Sequence, residues 1–238
     1  VSVCGSGWRR GQSRVAAMEV FDGVLVFVAA TAVKVLLVDT YRSTDFEVHR
    51  QWLGITSSNH PHRWYFDNST QWTLDYPPFF ALFEYALSFP AAAVDPAMVD
   101  HHRPPPSPHA TVAFQRASVM ATDALLLGGA LLVHAYHRRR GAAAPAAATF
   151  LVAAVCHAGL LLVDHVHFQY NGMLLGLLLA SVAITAAALD EAAAGKRRRA
   201  LRVGLIGAAA FAALLLLKHL FLTLAPVFFV ALLKGLCV

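Results

Sequence analysis

Charge is scarce in this 238-residue chain: 14% of its residues are Asp, Glu, Lys or Arg, against about 25% in a soluble globular domain. Hydrophobic residues make up 58%. They gather into long runs instead of recurring as one face of amphipathic elements, which argues against an ordinary soluble domain and gives the layout of a multi-spanning membrane protein. Cysteine is scarcer still: Cys4, Cys156 and Cys237 lie far apart with no C-x-x-C pair, which leaves no disulfide framework or cysteine zinc site to build on. The formal charge of +5 comes from short basic clusters between apolar runs. None interleaves with aromatics as a nucleic-acid stacking surface requires, so no nucleic-acid partner is expected.

Six spans are expected, at residues 20–38, 117–136, 142–163, 171–189, 201–217 and 220–235, each near the length that a hydrocarbon core of about 30 Å demands. Residues 1–17 precede Met18 and are set apart as a non-native or cytosolic segment; 18–238 form the membrane domain, whose last apolar run stops at Val238 as though cut short. Eleven of the nineteen basic residues, among them Arg138, Arg139, Arg140 and the run from Lys196 to Arg199, fall on one side of the alternation, and the positive-inside rule makes that side cytoplasmic. The opposite side receives the long connection 39–111, with eight of the fourteen acidic residues and three of the four tryptophans. Loops of this length are usually functional. The stretch WYFDNSTQWTLDYPPFFALFEY is expected to lie at headgroup depth, with Phe79, Phe80, Leu82 and Phe83 as the apolar face of an interfacial helix. HHRPPPSPH at 101–109 reads as a solvated linker.

Chemistry-bearing residues concentrate on the non-cytoplasmic side. In STDFEVHRQW, Thr44 and Glu47 have capping-box spacing, so a helix is expected to start at Thr44 with Asp45 in its first turn. Asp45 is then either an ordinary first-turn carboxylate or a general base held ionised by the helix dipole; His49 shares its face at i+4 and Arg50 follows. Asp75, ahead of Tyr76 and two prolines, is either a turn residue or a carboxylate that positions a hydroxyl. In DHVHFQYN, His165, His167, Gln169 and Asn171 either satisfy one another at a membrane turn or donate to a sugar or phosphate; a His-x-His zinc site lacks a third ligand at motif spacing. Lys218 and His219 close the fifth span, where a cation either snorkels or holds a lipid phosphate. Asp123 lies about 10 Å down the second span at 1.5 Å per residue, a depth at which pairing with another helix is expected. Asn68-Ser69-Thr70 is an N-glycosylation acceptor sequence crowded by aromatics.

The motifs TYRSTDFEVHRQWLGIT, WTLDYPPFFALFEYALS, FQRASVMATD, LLLVDHVHFQYNGMLLGLLL and LKHLFLTLAPVFF, in this order, resemble the dolichyl-phosphate-glucose-dependent α-1,3-glucosyltransferases of the endoplasmic reticulum. STDFEVHR and DHVHFQYNG are more similar to the member that adds the second glucose than to the sister that adds the first. The resemblance covers approximately the N-terminal half of the family's length. It implies an all-α, multi-pass membrane fold of the GT-C glycosyltransferase type. It implies inverting, metal-independent glucose transfer, without a cofactor, from dolichyl phosphate glucose to a monoglucosylated, dolichyl-pyrophosphate-linked oligosaccharide at the luminal face of the endoplasmic reticulum membrane. The family's proposed base falls on Asp45. Glu47, His49, Arg50, Asp75, Tyr76, His165, His167, Gln169, Asn171, Lys218 and His219 are the expected substrate-binding residues. Competing readings are the first-glucose transferase, a proton-coupled transporter using Asp123 and the histidines, and a non-catalytic or inactive fragment.

Overall fold

The computed structural model describes residues 4–102 and 108–237, with side chains over 19–102 and 108–236. The described residues are helical, with no strand among them. Helix α1 spans Cys4–Leu36, α2 Thr44–Ser58, α3 Pro78–Val94, α4 Pro108–Arg139, α5 Ala144–Val155, α6 Ala158–Leu162, α7 Asn171–Ala193, α8 Arg197–Leu217 and α9 Ala225–Leu232. Among the described residues five stretches are long and apolar enough to cross a membrane: Pro108–Arg139, Ala144–Phe168, Asn171–Ala193, Arg197–Leu217 and His219–Leu236. The expected span at 20–38, most of which lies in α1, is not among these five; it carries Asp22 and Lys34, with Glu19 just before it. Even so, α1 runs antiparallel to α4 within the same layer: Glu19 meets His134 at 3.0 Å, and Lys34 meets Asp123 at 2.6 Å.

Two expected spans are not single helices. The third breaks at Cys156, where the His157 side chain caps α6, and then widens into a π-helix at Val163–Phe168. The last opens as a 3-10 turn, His219–Leu224, ahead of α9. Helix α4 in turn starts at Pro108 instead of residue 117, within what was expected to be loop. Of the expected linker, 103–107 lies outside the described residues. His101 at its start is not solvated: it is 4% exposed, its Nε2 is 3.2 Å from the Ser69 hydroxyl, and it packs against Gly54.

The bundle is built on α7, which packs against both α4 and α8. Small residues allow this closeness: a Cβ at Gly129 would stand 2.1 Å from the Gly176 carbonyl oxygen, and one at Gly176 would stand 2.2 Å from that of Leu125. The arginine-rich ends of α4 and α8 share one edge of the bundle, where Arg140 pairs with Asp190 of α7 at 2.7 Å. At the other edge, α2 and α3 form a helical hairpin seated on the ends of the spans. Phe46, Trp52, Phe80, Phe168, Tyr170 and Leu214 build the shared core there. The interfacial face of α3 therefore differs from the expected one. Phe80 is 1% exposed and Phe83 packs on the core, so the outward strip is Phe79, Leu82, Tyr85 and Phe89.

Candidate active site

The first turn of α2 is held by a cap one residue earlier than the spacing suggested. Ser43 is the N-cap: its hydroxyl accepts from the Asp45 N–H at 3.2 Å and donates to the His167 carbonyl at 2.5 Å. The helix begins at Thr44 as expected, but Glu47 takes no part in a capping box. It accepts instead from the Arg50 guanidinium at 2.9 Å and from the Gln51 amide at 2.7 Å. Arg50 is almost fully buried and also donates to the Asp100 carbonyl. Glu47 and Arg50 are thus committed to each other and to the fold of the hairpin, and neither lines the cavity beside Asp45.

Asp45 carries the geometry of interest. Its Oδ2 accepts from the Gln169 amide at 2.7 Å and lies 3.2 Å from His167 Nε2. Its side chain is 32% exposed, and Oδ1 makes no hydrogen bond among the described residues. Asp45 lines a cavity of about 250 Å³ whose walls also include His49, Trp52, Trp72, Asp75 and Tyr76. Both contacts of Asp45 thus gather on one oxygen. Burial, with Asp45 and Asp75 nearby, pushes the Tyr76 phenol up to about 12, so it is a protonated donor at neutral pH.

The segment that reaches Asp45 is itself strained. Phe168, at φ 91 and fully buried, occupies a backbone region that non-glycine residues rarely adopt. Its ring is wedged against Phe46, His49 and Tyr170, and this packing over-determines the turn that presents His167 on one side and Gln169 on the other. Helix α4 clamps it. Arg116 donates to the carbonyls of Tyr41 and Val166, Gln115 to that of Phe46, and the Ser118 hydroxyl lies 2.8 Å from that of Tyr170. These α4 residues were not among the expected site residues, although they stand in one of the quoted motifs; Gln115 and Arg116 hold backbone and Ser118 holds a tyrosine hydroxyl, which leaves no mark on spacing.

Behind Gln169 the polar chain continues. Asn171 donates to Gln169 Oε1 at 2.8 Å and to Asp164 at 2.9 Å, and accepts from Lys218 Nζ at 3.1 Å. Lys218 also stands 5.3 Å over the Tyr76 ring. Burial pulls its ammonium below the usual lysine range, partly countered by Asp164 and Asp45. His219, expected beside Lys218 as a substrate-binding residue, is exposed and makes no hydrogen bond among the described residues. His165 also leaves the site. It is 2% exposed and faces Asp123 Oδ2 at 2.8 Å, alongside Lys34 at 2.6 Å. Asp123 is therefore paired to another helix, as its depth suggested. The His-x-His pair does not converge, because each ring faces a different carboxylate.

His49 shares the cavity with Asp45, but its Nδ1 is taken by Glu84 Oε1 at 2.6 Å. Glu84 was missed because it sits in the apolar run FFALFEYALS. It has no exposed surface, burial raises its carboxyl above the usual range against the lowering effect of His49, and its Oε2 has no partner among the described residues.

With this geometry in place, comparison with known proteins places the chain. Residues 30–238 match the ALG6, ALG8 glycosyltransferase family. A dolichyl pyrophosphate Glc1Man9GlcNAc2 alpha-1,3-glucosyltransferase of Arabidopsis thaliana is 46% identical over 212 residues, which is 89% of this chain and 38% of that protein. Proteins of the same name are 43% identical in Neurospora crassa, over 88% of this chain and 39% of theirs, and 42% identical in Mus musculus, over 87% and 38%. The chain thus spans about two fifths of the length of these relatives.

Proposed function

Because the chain belongs to the ALG6, ALG8 glycosyltransferase family, a family of multi-pass membrane glycosyltransferases, we propose that it supplies the acceptor-activating part of an inverting α-1,3-glucosyltransferase. In this reading the enzyme adds the second glucose to a dolichyl-pyrophosphate-linked oligosaccharide, consistent with the names of the relatives. The donor is dolichyl phosphate glucose, and the cavity faces the lumen of the endoplasmic reticulum.

The observation that carries the reading is the placing of Asp45: its Oδ2 is held by His167 and Gln169, and the residue lines a cavity walled by Trp52, Trp72 and Tyr76. Aromatic walls with a few polar groups suit a pyranose ring. As the 3-hydroxyl of the terminal glucose attacks the anomeric carbon of the donor, Asp45 Oδ1 takes its proton, the new oxygen–carbon bond forms, and the bond to phosphate breaks with its electrons leaving on dolichyl phosphate. His167 and Gln169 hold the carboxylate in place. Lys218, half-buried between Asn171 and Tyr76, is the cation positioned to face the departing phosphate.

The test uses the full-length parent in cells lacking the second glucosyltransferase, with lipid-linked oligosaccharides profiled. Wild type is expected to convert the monoglucosylated species to the diglucosylated one, and Asp45→Asn is not. Restoration of cells lacking the first transferase instead would move the assignment to the sister enzyme, and rescue of neither would sink the enzymatic reading.

A further inference from the structure

We propose that His49 and Glu84 form one acceptor-reading unit: His49 offers an N–H donor to a hydroxyl of the incoming sugar, and Glu84 is the positioning residue that keeps that hydrogen in place. The inference rests on the Asp45 cavity being the acceptor site.

His49 lies one helical turn after Asp45 on α2 and borders the same cavity. Its Nδ1 is engaged by Glu84 from α3 at 2.6 Å, so Nε2 is the ring nitrogen left for a ligand. The ring has little freedom to turn. Trp52, Phe168 and Tyr170 meet it edge-on at centroid distances of 5.0, 5.3 and 5.3 Å, and Phe80 closes another side at 5.5 Å.

The proton inventory follows from burial. Glu84 is fully enclosed and its Oε2 meets no donor. An uncompensated carboxylate in such a place is costly, so the pair holds the extra proton that makes it neutral overall. That proton has two places to sit. A protonated Glu84 donates to Nδ1 of a neutral imidazole, whose own hydrogen is then on Nε2; an ionised Glu84 accepts from an imidazolium, which also carries hydrogen on Nε2. Both arrangements show the cavity the same group, an N–H donor.

This donor stands among acceptors. Asp45 and Asp75 line the same space, and a carboxylate takes hydrogen from a hydroxyl. A sugar hydroxyl caught between His49 and a carboxylate is satisfied in both senses, as donor and as acceptor. An acceptor ring offers several hydroxyls, and a fixed donor opposite a fixed base selects the one that turns towards Asp45. The ligand class is a hydroxyl-rich pyranose at the end of the acceptor glycan.

The experiment measures kcat and KM for the monoglucosylated lipid-linked oligosaccharide, and KM for dolichyl phosphate glucose, with the full-length enzyme in membranes. Wild type is compared with His49→Ala, Glu84→Leu and Glu84→Gln. His49→Ala and Glu84→Leu are expected to raise the acceptor KM about tenfold, the scale of one lost hydrogen bond, with the donor KM unchanged. Glu84→Gln, whose amide donates to Nδ1 and keeps hydrogen on Nε2, is expected to return the acceptor KM to near the wild-type value, which a merely structural role for Glu84 does not require. An acceptor KM in His49→Ala equal to that of wild type, or equal rises in acceptor and donor KM, overturns the inference. Should Glu84→Leu not accumulate, His49→Ala and Glu84→Gln decide between these outcomes. Wild type that converts no acceptor overturns the proposed function itself, whereas active wild type with an indifferent His49→Ala overturns only this unit.

Discussion

Asp45 and Asp123 each face a histidine from the same π-helical segment, His167 and His165, two residues apart, yet the two pairs do different work. Asp123 is 2% exposed, and its Oδ2 meets both Lys34 of α1 and His165. The Asp45 side chain is 32% exposed, and its contacts, His167 and Gln169, fall on one oxygen. The carboxylate–imidazole pair at Asp123 is a buried tie in which a lysine matches the charge. On the proposed function, the pair at Asp45 serves chemistry because its carboxylate is partly exposed and has no lysine partner. In both carboxylates the contacts gather on Oδ2, so what separates them is exposure and the Lys34 counter-charge, more than residue type or sequence neighbourhood.

Substitution should pull the two carboxylates apart. In the full-length protein, Asp45→Asn is expected to lower turnover by about 10²–10⁴-fold, the range associated with a general base, while thermal stability in detergent stays within error of wild type. Asp123→Asn is expected to do the reverse. Removing the carboxylate leaves the Lys34 ammonium buried without its counter-charge, a change that costs about 3–5 kcal/mol in comparable buried pairs, read as a lowered melting temperature and reduced accumulation. A double variant, Lys34→Met with Asp123→Leu, should recover much of that loss, since an apolar pair removes both buried charges. Equal effects of Asp45→Asn and Asp123→Asn on turnover and stability would erase the distinction.

Gly172→Ala joins the two regions. A Cβ there stands 2.2 Å from Asp123 Oδ1, and the Gly172 N–H donates to Asp164 at 2.6 Å, so either the carboxylate or the start of α7 must move. About 1–3 kcal/mol of destabilisation is expected, as for overpacked cores, together with a fall in turnover because Asn171 and Gln169 sit on the same turn. A melting temperature unchanged by Gly172→Ala would show that the two networks are mechanically separate.

The bundle was largely legible in the sequence, since apolar runs and basic clusters need only length and composition to be recognised. Asp45 was legible as well, because helix starts have local signatures, although the cap proved to be Ser43 instead of Thr44. The polar run from His165 to Asn171 stood out between two apolar stretches, but its division of labour did not. Which histidine turns inward to Asp123 and which outward to Asp45 depends on the widened helix and on Phe168 at positive φ, neither of which has a residue-type signal. Glu84 was hidden for a different reason. Its partner is 35 residues away in the chain, and a lone acidic residue on an apolar helix looks like a solvent-facing position until the fold shows α3 turned with that side inward. Glu47 and Arg50 illustrate the converse, since two charged residues beside a candidate base look functional and prove to satisfy each other.

Gln169→Leu is a finer probe than either aspartate. The amide donates to Asp45 Oδ2 and its oxygen accepts from Asn171, so the substitution removes one of two contacts on the carboxylate without removing the carboxylate. Turnover is expected to drop about tenfold, the scale of one hydrogen bond to a charged group. A turnover equal to that of wild type would mean that His167 alone positions the base.

The smallest effect belongs to the opposite edge of the bundle, where Arg140 and Asp190 pair at 2.7 Å with side chains 60% and 39% exposed. This pair has the shortness of the Lys34–Asp123 contact but none of its enclosure. Water screens it, and both side chains lose rotamer freedom to hold it. Arg140→Gln is therefore expected to change stability by less than about 1 kcal/mol and to leave acceptor conversion at the wild-type rate. A loss comparable to that of Asp123→Asn would show that contact length governs these ion pairs; the near-silent outcome would show that burial does, and with it that the same criterion separates Asp123 from Asp45.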